Sequence, residues 1–388
     1  MLVPESYRGR EQSFVKHHLL KTYMERLFMI IGLHQRVVRY VDCFSGPWQQ
    51  GAADLQDTSI GIALSIISKC QDGLKALRKN VEFHALFIEK KKAPFRELQS
   101  FLSDFPNQTI STKALNGDFF DLRDSILDWC GPADFTFFFI DPKGWKKVVE
   151  IPTLTPLLRR PNSEFLINFM YDFLLRTHTQ ASFREEMQAI FGEVPDTRTL
   201  SPEKKNKYLL DLYRHHLKEI SPARGGKPRT FAVPVLYPMI DRSVYHLVYL
   251  TRHAKGMSVF AEESEKLDFL QRRTRADVKQ ADRVSRDGQL EMFRASSLVA
   301  KENRVDPAEV TSYWLKKLST SPSMFGLEEL ADMLEETGWF ESDLQTTFGE
   351  LEKEGLVKNL DGSGKRRKKF VHFTENNNRG ERLVRVIL

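Results

Sequence analysis

At 388 residues, 41% hydrophobic and 28% charged, the chain is too apolar for disorder and long enough for one large or two medium domains. A formal charge of +6 gives a slight bias toward a polyanionic partner. Three scattered cysteines (Cys43, Cys70, Cys130) without a CxxC pair exclude a cysteine-held zinc or iron–sulfur site and predict a reducing compartment.

The opening residues, Met1-Leu2-Val3-Pro4-Glu5-Ser6, do not read as a signal peptide, and no apolar run reaches membrane-spanning length. The expectation is a soluble cytoplasmic protein with no membrane partner. From Phe14 to Leu33, the spacing of Leu19, Leu20, Tyr23, Leu27, Phe28 and Ile31 predicts a helix. Lys16-His17-His18 falls on its first turns. Adjacent histidines point about 100° apart on a helix and do not pair as metal ligands, so His17 and His18 are expected on a solvated face. Lys16 lies one element upstream of the expected pocket.

Val37-Val38-Arg39-Tyr40-Val41 reads as a buried strand that runs into Asp42-Cys43-Phe44-Ser45-Gly46-Pro47-Trp48. A helix follows at Ser59 to Ile67. A strand ending in Asp-x-Phe-x-Gly and feeding a helix is how many open α/β sheets hold a cofactor. Glycine lets the backbone approach the ligand, and the crevice lies outside the carboxyl ends of the strands. We read Asp42, Phe44, Ser45 and Gly46 as the floor of an S-adenosylmethionine pocket. An ordinary strand–turn–helix is the alternative, and the motif alone favours neither.

Phe83 to Glu89 repeats the pattern of a buried strand ending in an acid, where Glu89 is placed to accept hydrogen bonds from ribose hydroxyls. The separation from Asp42 exceeds the roughly 20 residues usual for such folds, so residues 49–80 must span a long loop and helix. Ala93 to Leu102 reads as the next helix and Thr109 to Leu115 as a third strand. It leads to Asp118-Phe119, where the acid would bond an adenine amino group and the ring would pack on the base. Asp118 also suits a helix N-cap, and both roles are compatible. Phe135 to Ile140 is apolar throughout, as the central strand of a parallel sheet requires. It ends in Asp141-Pro142-Lys143-Gly144-Trp145, and Glu164 to Phe169 is a fifth strand. Strands and helices alternate to this point, which predicts a doubly wound, Rossmann-like α/β sheet with right-handed crossovers.

A charged helical insertion is expected at about 177–227. Thr230 to Tyr237 and Tyr245 to Thr251 then form an antiparallel hairpin. A parallel sheet closed by one late hairpin is the methyltransferase pattern, so residues 1–260 are taken as one such domain. Residues 261–304, with Arg272, Arg273, Arg275, Lys279, Arg283 and Arg286 among acids, are expected to be a solvated helical linker. Residues 305–388 are expected to form a winged helix-turn-helix domain: helices at Val310–Leu318, Leu327–Glu336 and Glu341–Glu354, a strand from Gly355, and a return at Phe370-Val371-His372-Phe373. Lys365, Arg366, Arg367, Lys368 and Lys369 would lie at the wing along a phosphate backbone. The third helix is acidic, so protein docking with the wing touching nucleic acid stands level with DNA recognition.

Taken together, Lys16 with Leu20 and Tyr23, Asp42 with Phe44 and Gly46, Asp141-Pro142 with Gly144, and the run Leu247 to Gly256 resemble the three-Cys-motif partner family. These are class I S-adenosylmethionine-dependent methyltransferase-like proteins encoded beside a cysteine-motif protein. The resemblance spans Phe14 to about Lys255 and implies S-adenosylmethionine as cofactor and the neighbour-encoded three-Cys-motif protein as partner. Lys16, Asp42, Phe44, Ser45, Gly46, Glu89, Asp118 and Phe119 would then form the cofactor site. Two positions depart from the family: Trp48 replaces a second glycine, and Thr58-Ser59-Ile60-Gly61 stands where Gly-Ser-Pro is usual. Asp141-Pro142 also resembles the Asp-Pro-Pro-Tyr signature of nucleic-acid amino methyltransferases, with Lys143 for the second proline and Trp145 one place late for the aromatic residue. Asp141, Pro142, Lys143 and Trp145 are therefore the expected catalytic set, with a nucleic-acid amino nitrogen as acceptor. A methyltransferase fold without catalysis that docks a partner, and a winged-helix regulator, are the alternatives.

Overall fold

A computed structural model describes residues 3–7, 9–46, 58–107, 109–142, 147–170, 180–287, 305–362 and 369–386. Lys143, Trp145, Trp48 and Lys365 to Lys368 lie outside the described residues. The core is a seven-stranded sheet in the order β3-β2-β1-β4-β5-β7-β6. Its strands are β1 (Val37–Asp42), β2 (Glu82–Glu89), β3 (Ser111–Asn116), β4 (Phe135–Ile140), β5 (Ser163–Phe169), β6 (Arg229–Leu236) and β7 (Ser243–Thr251). The first five run parallel, and β7 is antiparallel to both β5 and β6. The expected alternating α/β sheet with one late hairpin is therefore present.

Side-chain alternation along the strands sorts the sheet into two cores. In β4 every residue is buried; Phe135, Phe137 and Phe139 turn to one face, Phe138 and Ile140 to the other. The first face is covered by α1 (Glu11–Gly32), α2 (Ser59–Ala76) and α3 (Lys92–Asp104), joined by α8 (Ala254–Asp287). The second carries α4 (Phe119–Cys130), α5 (Ile151–Leu158), α6 (Arg184–Phe191) and α7 (Pro202–Ile220). The two insertion helices, α6 and α7, pack on this face: Tyr213 stacks on Phe169 with centroids 4.1 Å apart.

A polar knot sits where α1, β5 and β7 meet. Glu164 on β5 is 1% exposed and accepts hydrogen bonds from Tyr23 and Tyr249 (both 2.8 Å) and from Thr251 (2.7 Å). A carboxylate so supplied tolerates burial that would otherwise cost several kcal/mol. Gly256, in the first turns of α8, makes the knot possible. A Cβ there would stand 2.7 Å from both Glu164 Oε1 and the Tyr249 hydroxyl. Tyr23, Tyr249, Thr251 and Gly256, all part of the family resemblance, thus meet in a structural network.

Helix α8 runs unbroken across the expected boundary at 260, with Leu267, Gln271 and Thr274 buried, so this part of the expected linker is a packed helix rather than a solvated one. Beyond it come α9 (Pro307–Lys317), β8 (Ser323–Phe325), α10 (Leu327–Thr337), α11 (Glu341–Lys353), β9 (Val357–Asn359) and β10 (Glu381–Arg385). The small sheet has the order β8-β10-β9. The strand returning against β9 is therefore Glu381–Arg385, not Phe370–Phe373. Gln345 explains the shift. Its amide oxygen accepts from Phe370 N and Val371 N at 3.0 Å and its nitrogen donates to Val371 O at 2.7 Å, satisfying that backbone without a strand partner.

Candidate functional site

Helix α4 is capped by Asp118, whose side chain accepts from Phe120 N at 2.9 Å. The cap places Phe119 beside Phe44, with ring centroids 5.2 Å apart. Glu89 ends β2, and one of its oxygens accepts from Lys91 N at 2.6 Å. Its other oxygen lies against Gly46, where a Cβ would stand 1.8 Å from Oε2, so any larger residue there would displace the Glu89 carboxylate. These neighbours enclose a cavity of about 180 Å³ lined by Phe44, Gly46, Glu89, Asp118, Phe119 and Lys90 among others. Lys90 bonds Asp118 at 2.7 Å, and its ammonium holds the Asp118 carboxyl below its ordinary range. The segments that follow the first three strands thus border one hollow.

Three residues expected in the cofactor site, Lys16, Asp42 and Ser45, do not line that cavity. Asp42 is fully buried and turns inward. Oδ1 accepts from Phe44 N at 3.0 Å and Oδ2 from the Ser59 hydroxyl at 2.7 Å. Its carboxylate therefore ties the β1 loop to the first turn of α2. Burial raises its pKa to about 6, and the two hydrogen bonds only partly offset the cost. Ser45 is likewise buried. Its hydroxyl donates to Asp42 O at 3.1 Å and accepts from Ile88 N at 3.2 Å, stitching the loop to β2.

A second group forms at the carboxyl ends of β4 and β5. Lys16, from the first turns of α1, is ion-paired with Asp141. Asn168, near the end of β5, donates to Asp141 Oδ1 at 2.6 Å. Burial pushes the Asp141 carboxyl up, but Lys16 and Asn168 outweigh it and hold the group below its ordinary value. Asn168 is absent from the sequence-based set. Its one signal was an amide directly after the apolar run Phe165-Leu166-Ile167 near the end of the strand. His17 is not on a solvated face. It is half-buried, its Nδ1 lies 3.0 Å from the Tyr7 hydroxyl, and burial with nearby Lys16 lowers its pKa to about 3. Among the described residues, no cluster of His, Cys, Asp and Glu is arranged to hold a metal ion.

The C-terminal basic tract contributes one described residue, Lys369, which pairs with Glu341 at 2.7 Å. The outward positions of α11 (Ser342, Asp343, Thr346, Glu350) face α8 residues Glu265, Asp268 and Arg272 across a groove of about 300 Å³. Carboxylates dominate that groove, and the helix has no open cationic face for a phosphate backbone. No helix among the described residues is long and apolar enough to cross a membrane.

No family model matches the chain, and no curated protein does. Among solved structures, a Legionella pneumophila protein of family DUF519 is similar at 11% identity and a TM-score of 0.38, over 66% of this chain and 91% of its own. A loganic acid methyltransferase solved with SAH is similar at 9% identity and a TM-score of 0.29, over 74% of this chain and 86% of its own. Likenesses at this level carry no functional weight.

Proposed function

We propose that the chain is an S-adenosylmethionine-dependent methyltransferase whose nucleoside site is the cavity bounded by Gly46, Glu89 and Asp118. One observation carries the reading. A glycine that cannot be replaced without striking Glu89, a ribose-type acid and an acid–aromatic pair meet in one hollow at the carboxyl ends of three adjacent parallel strands. Its volume, about 180 Å³, is below the roughly 300–1,000 Å³ of whole-ligand pockets and suits the nucleoside portion alone. The parallel sheet closed by a late hairpin is the pattern expected of this enzyme class.

In this reading Glu89 accepts the ribose hydroxyls, Asp118 accepts the adenine amino group, and Phe44 and Phe119 pack on the base. The bound cofactor supplies an electrophilic methyl group. Asp141 and the carbonyl of Pro142 orient an acceptor amino group, with a nucleic acid as the acceptor class. Lys16 keeps Asp141 ionised, and Asn168 fixes its rotamer. Lys143 and Trp145 belong to the same proposed acceptor side. Calorimetric titration of the full chain with S-adenosylmethionine tests the reading. Saturable binding is expected, weakened roughly 10–100-fold in Glu89→Gln, because a hydrogen bond to a charged group is worth about 1.5–3 kcal/mol. Absence of binding would sink it.

A second reading has its own support. Asp141 already receives Lys16 and Asn168, and Asp42 is spent on Ser59 and Phe44 N, as in a fold kept for docking rather than catalysis. The partner would be the neighbour-encoded three-Cys-motif protein. Stable co-purification with it, together with no cofactor binding, selects this alternative.

A further inference from the structure

The turn between β6 and β7 stands at the carboxyl end of the parallel strands. β7 runs antiparallel to β5 with His246 opposite Phe169, so β7 begins beside the place where β5 ends. Leu236 lies opposite Ser243, and Tyr237 N donates to Arg242 O at 2.9 Å, which closes the ladder and leaves residues 238–241 as the tip. The tip therefore projects from the same end of the sheet as Asp141, which follows β4 and is bonded by Asn168 of β5. Tyr245, near enough to Asp141 to feel its charge, is three residues along β7 from Arg242, about 10 Å of strand.

This tip is apolar, exposed and braced. Met239 and Ile240, which follow Pro238, are 42% and 50% exposed. Two adjacent apolar side chains left in water contribute little to folding, yet the backbone beneath them is held at several points. Arg275 of α8 donates from Nε to Tyr237 O and from Nη2 to Ile240 O, both at 3.0 Å, and also bonds the Asp241 carboxylate. Gln271, one turn earlier on α8, accepts from Leu236 N at 2.9 Å and donates to Pro234 O at 3.2 Å. The Arg242 guanidinium lies 5.0 Å over the Tyr237 ring. Helix α8 thus splints the hairpin, and the apolar pair sits on a rigid mount.

Cations flank the pair. Arg275 is committed to the turn, whereas Arg242 adjoins the tip and Lys279, one turn beyond Arg275, lies close enough to act on Asp241. A protein-docking face would spread its apolar residues over a continuous patch. A narrow tip of proline, methionine and isoleucine between cations matches a stacked base step between phosphates, where apolar side chains replace lost stacking and cations meet the backbone.

We propose that residues 238–241 form a wedge that enters the base stack of a double-stranded nucleic acid beside the acceptor nucleotide, with Arg242 and Lys279 on the flanking phosphates. The proposal rests on the nucleic-acid acceptor of the reading above. Contact of Met239 and Ile240 with the bared base faces offsets the unstacking that an extruded nucleotide requires.

Fluorescence anisotropy on the full chain without cofactor tests this, using a short labelled DNA duplex, an RNA duplex of the same sequence, and each again with one central abasic nucleotide. A wedge fills the abasic gap without having to unstack a base, so wild type is expected to bind a gapped duplex about 10-fold tighter than the intact one. A preference in either the DNA or the RNA series supports the proposal and identifies the partner. Met239→Ser with Ile240→Ser should erase the preference, and both positions are exposed enough for the melting temperature to hold. Arg242→Gln and Lys279→Gln should weaken intact and gapped duplexes alike, each lowering the salt slope by about one. Equal binding of intact and gapped duplexes by wild type, or an unchanged preference in the double serine variant, overturns the proposal. So does a double variant that binds every duplex as wild type does but no longer co-purifies with the neighbour-encoded three-Cys-motif protein, which would assign the tip to a protein. If no duplex binds, the wedge and the nucleic-acid acceptor fall together, while titration with S-adenosylmethionine still decides the methyltransferase reading separately.

Discussion

Asp42 carries a stability signature that can be measured without any ligand. Its folded pKa of about 6 is above the ordinary 3.8, so the native state binds this proton more tightly than the unfolded chain does. The group's contribution is therefore most favourable below pH 4 and is lost as pH rises through about 6. A shift of about two units corresponds to roughly 3 kcal/mol. Asp42→Asn keeps an acceptor for Phe44 N and a polar contact for Ser59, and is expected to be more stable than wild type at pH 7.5 by up to about 3 kcal/mol. Denaturant midpoints at pH 4.5 and 7.5 should diverge between the two proteins, and parallel curves would refute the assignment. Lys16→Met removes the cation that holds the Asp141 carboxyl down. That variant should lose stability at pH 7.5 and recover part of it on acidification, the reverse of a simple surface substitution. At Gly46 a methyl group would collide with Glu89, so Gly46→Ala is expected to abolish nucleoside binding while the melting temperature moves by only a few degrees.

Among the elements, the junction of β5, β7 and the start of α8 is a closely packed polar contact outside the candidate site. Gly256→Ala would drive a methyl group into Glu164, Tyr249 and Thr251, the last with its oxygen 2.9 Å from the added carbon. None of the three can retreat without breaking a buried hydrogen bond, so a loss of about 3 kcal/mol or more is expected in chemical denaturation. Thr251→Ser, which keeps the hydroxyl, should cost far less. This contrast separates the hydrogen-bond network from plain packing. Periodicity predicted these strands and helices because apolar spacing reports burial. It did not report that Tyr23, more than a hundred residues away in sequence, shares a carboxylate with Tyr249, because hydroxyl partners leave no periodic trace.

For the molecule as a whole, the C-terminal helices are docked on the sheet by charge. Arg229 on the edge strand β6 is 2% exposed and bonds Asp332 at 2.8 Å and also Glu328, both on α10. Glu335 of the same helix accepts from Thr230 N at 2.8 Å, capping a backbone donor on the strand edge. Arg229→Ala strands Asp332 beside Lys227 alone and should cost about 1.5–3 kcal/mol. Amide exchange over residues 327–337 should rise selectively, whereas unchanged exchange there would show that apolar contacts such as Phe231 with Phe340 hold the unit unaided.

Much of this protein was decided by sequence alone. Apolar runs ending in Asp42, Glu89 and Asp141, separated by helical spacing, determine a parallel sheet with acids at one end, because buried strands must be apolar and must stop where polar groups meet solvent. Tertiary structure decided which way those acids turn. Glu89 and Asp118 line a common hollow, while Asp42 is claimed by Ser59 and Asp141 by Lys16 and Asn168. Each of these choices depends on which donor another element brings within about 3 Å, and local pattern carries no information about that encounter.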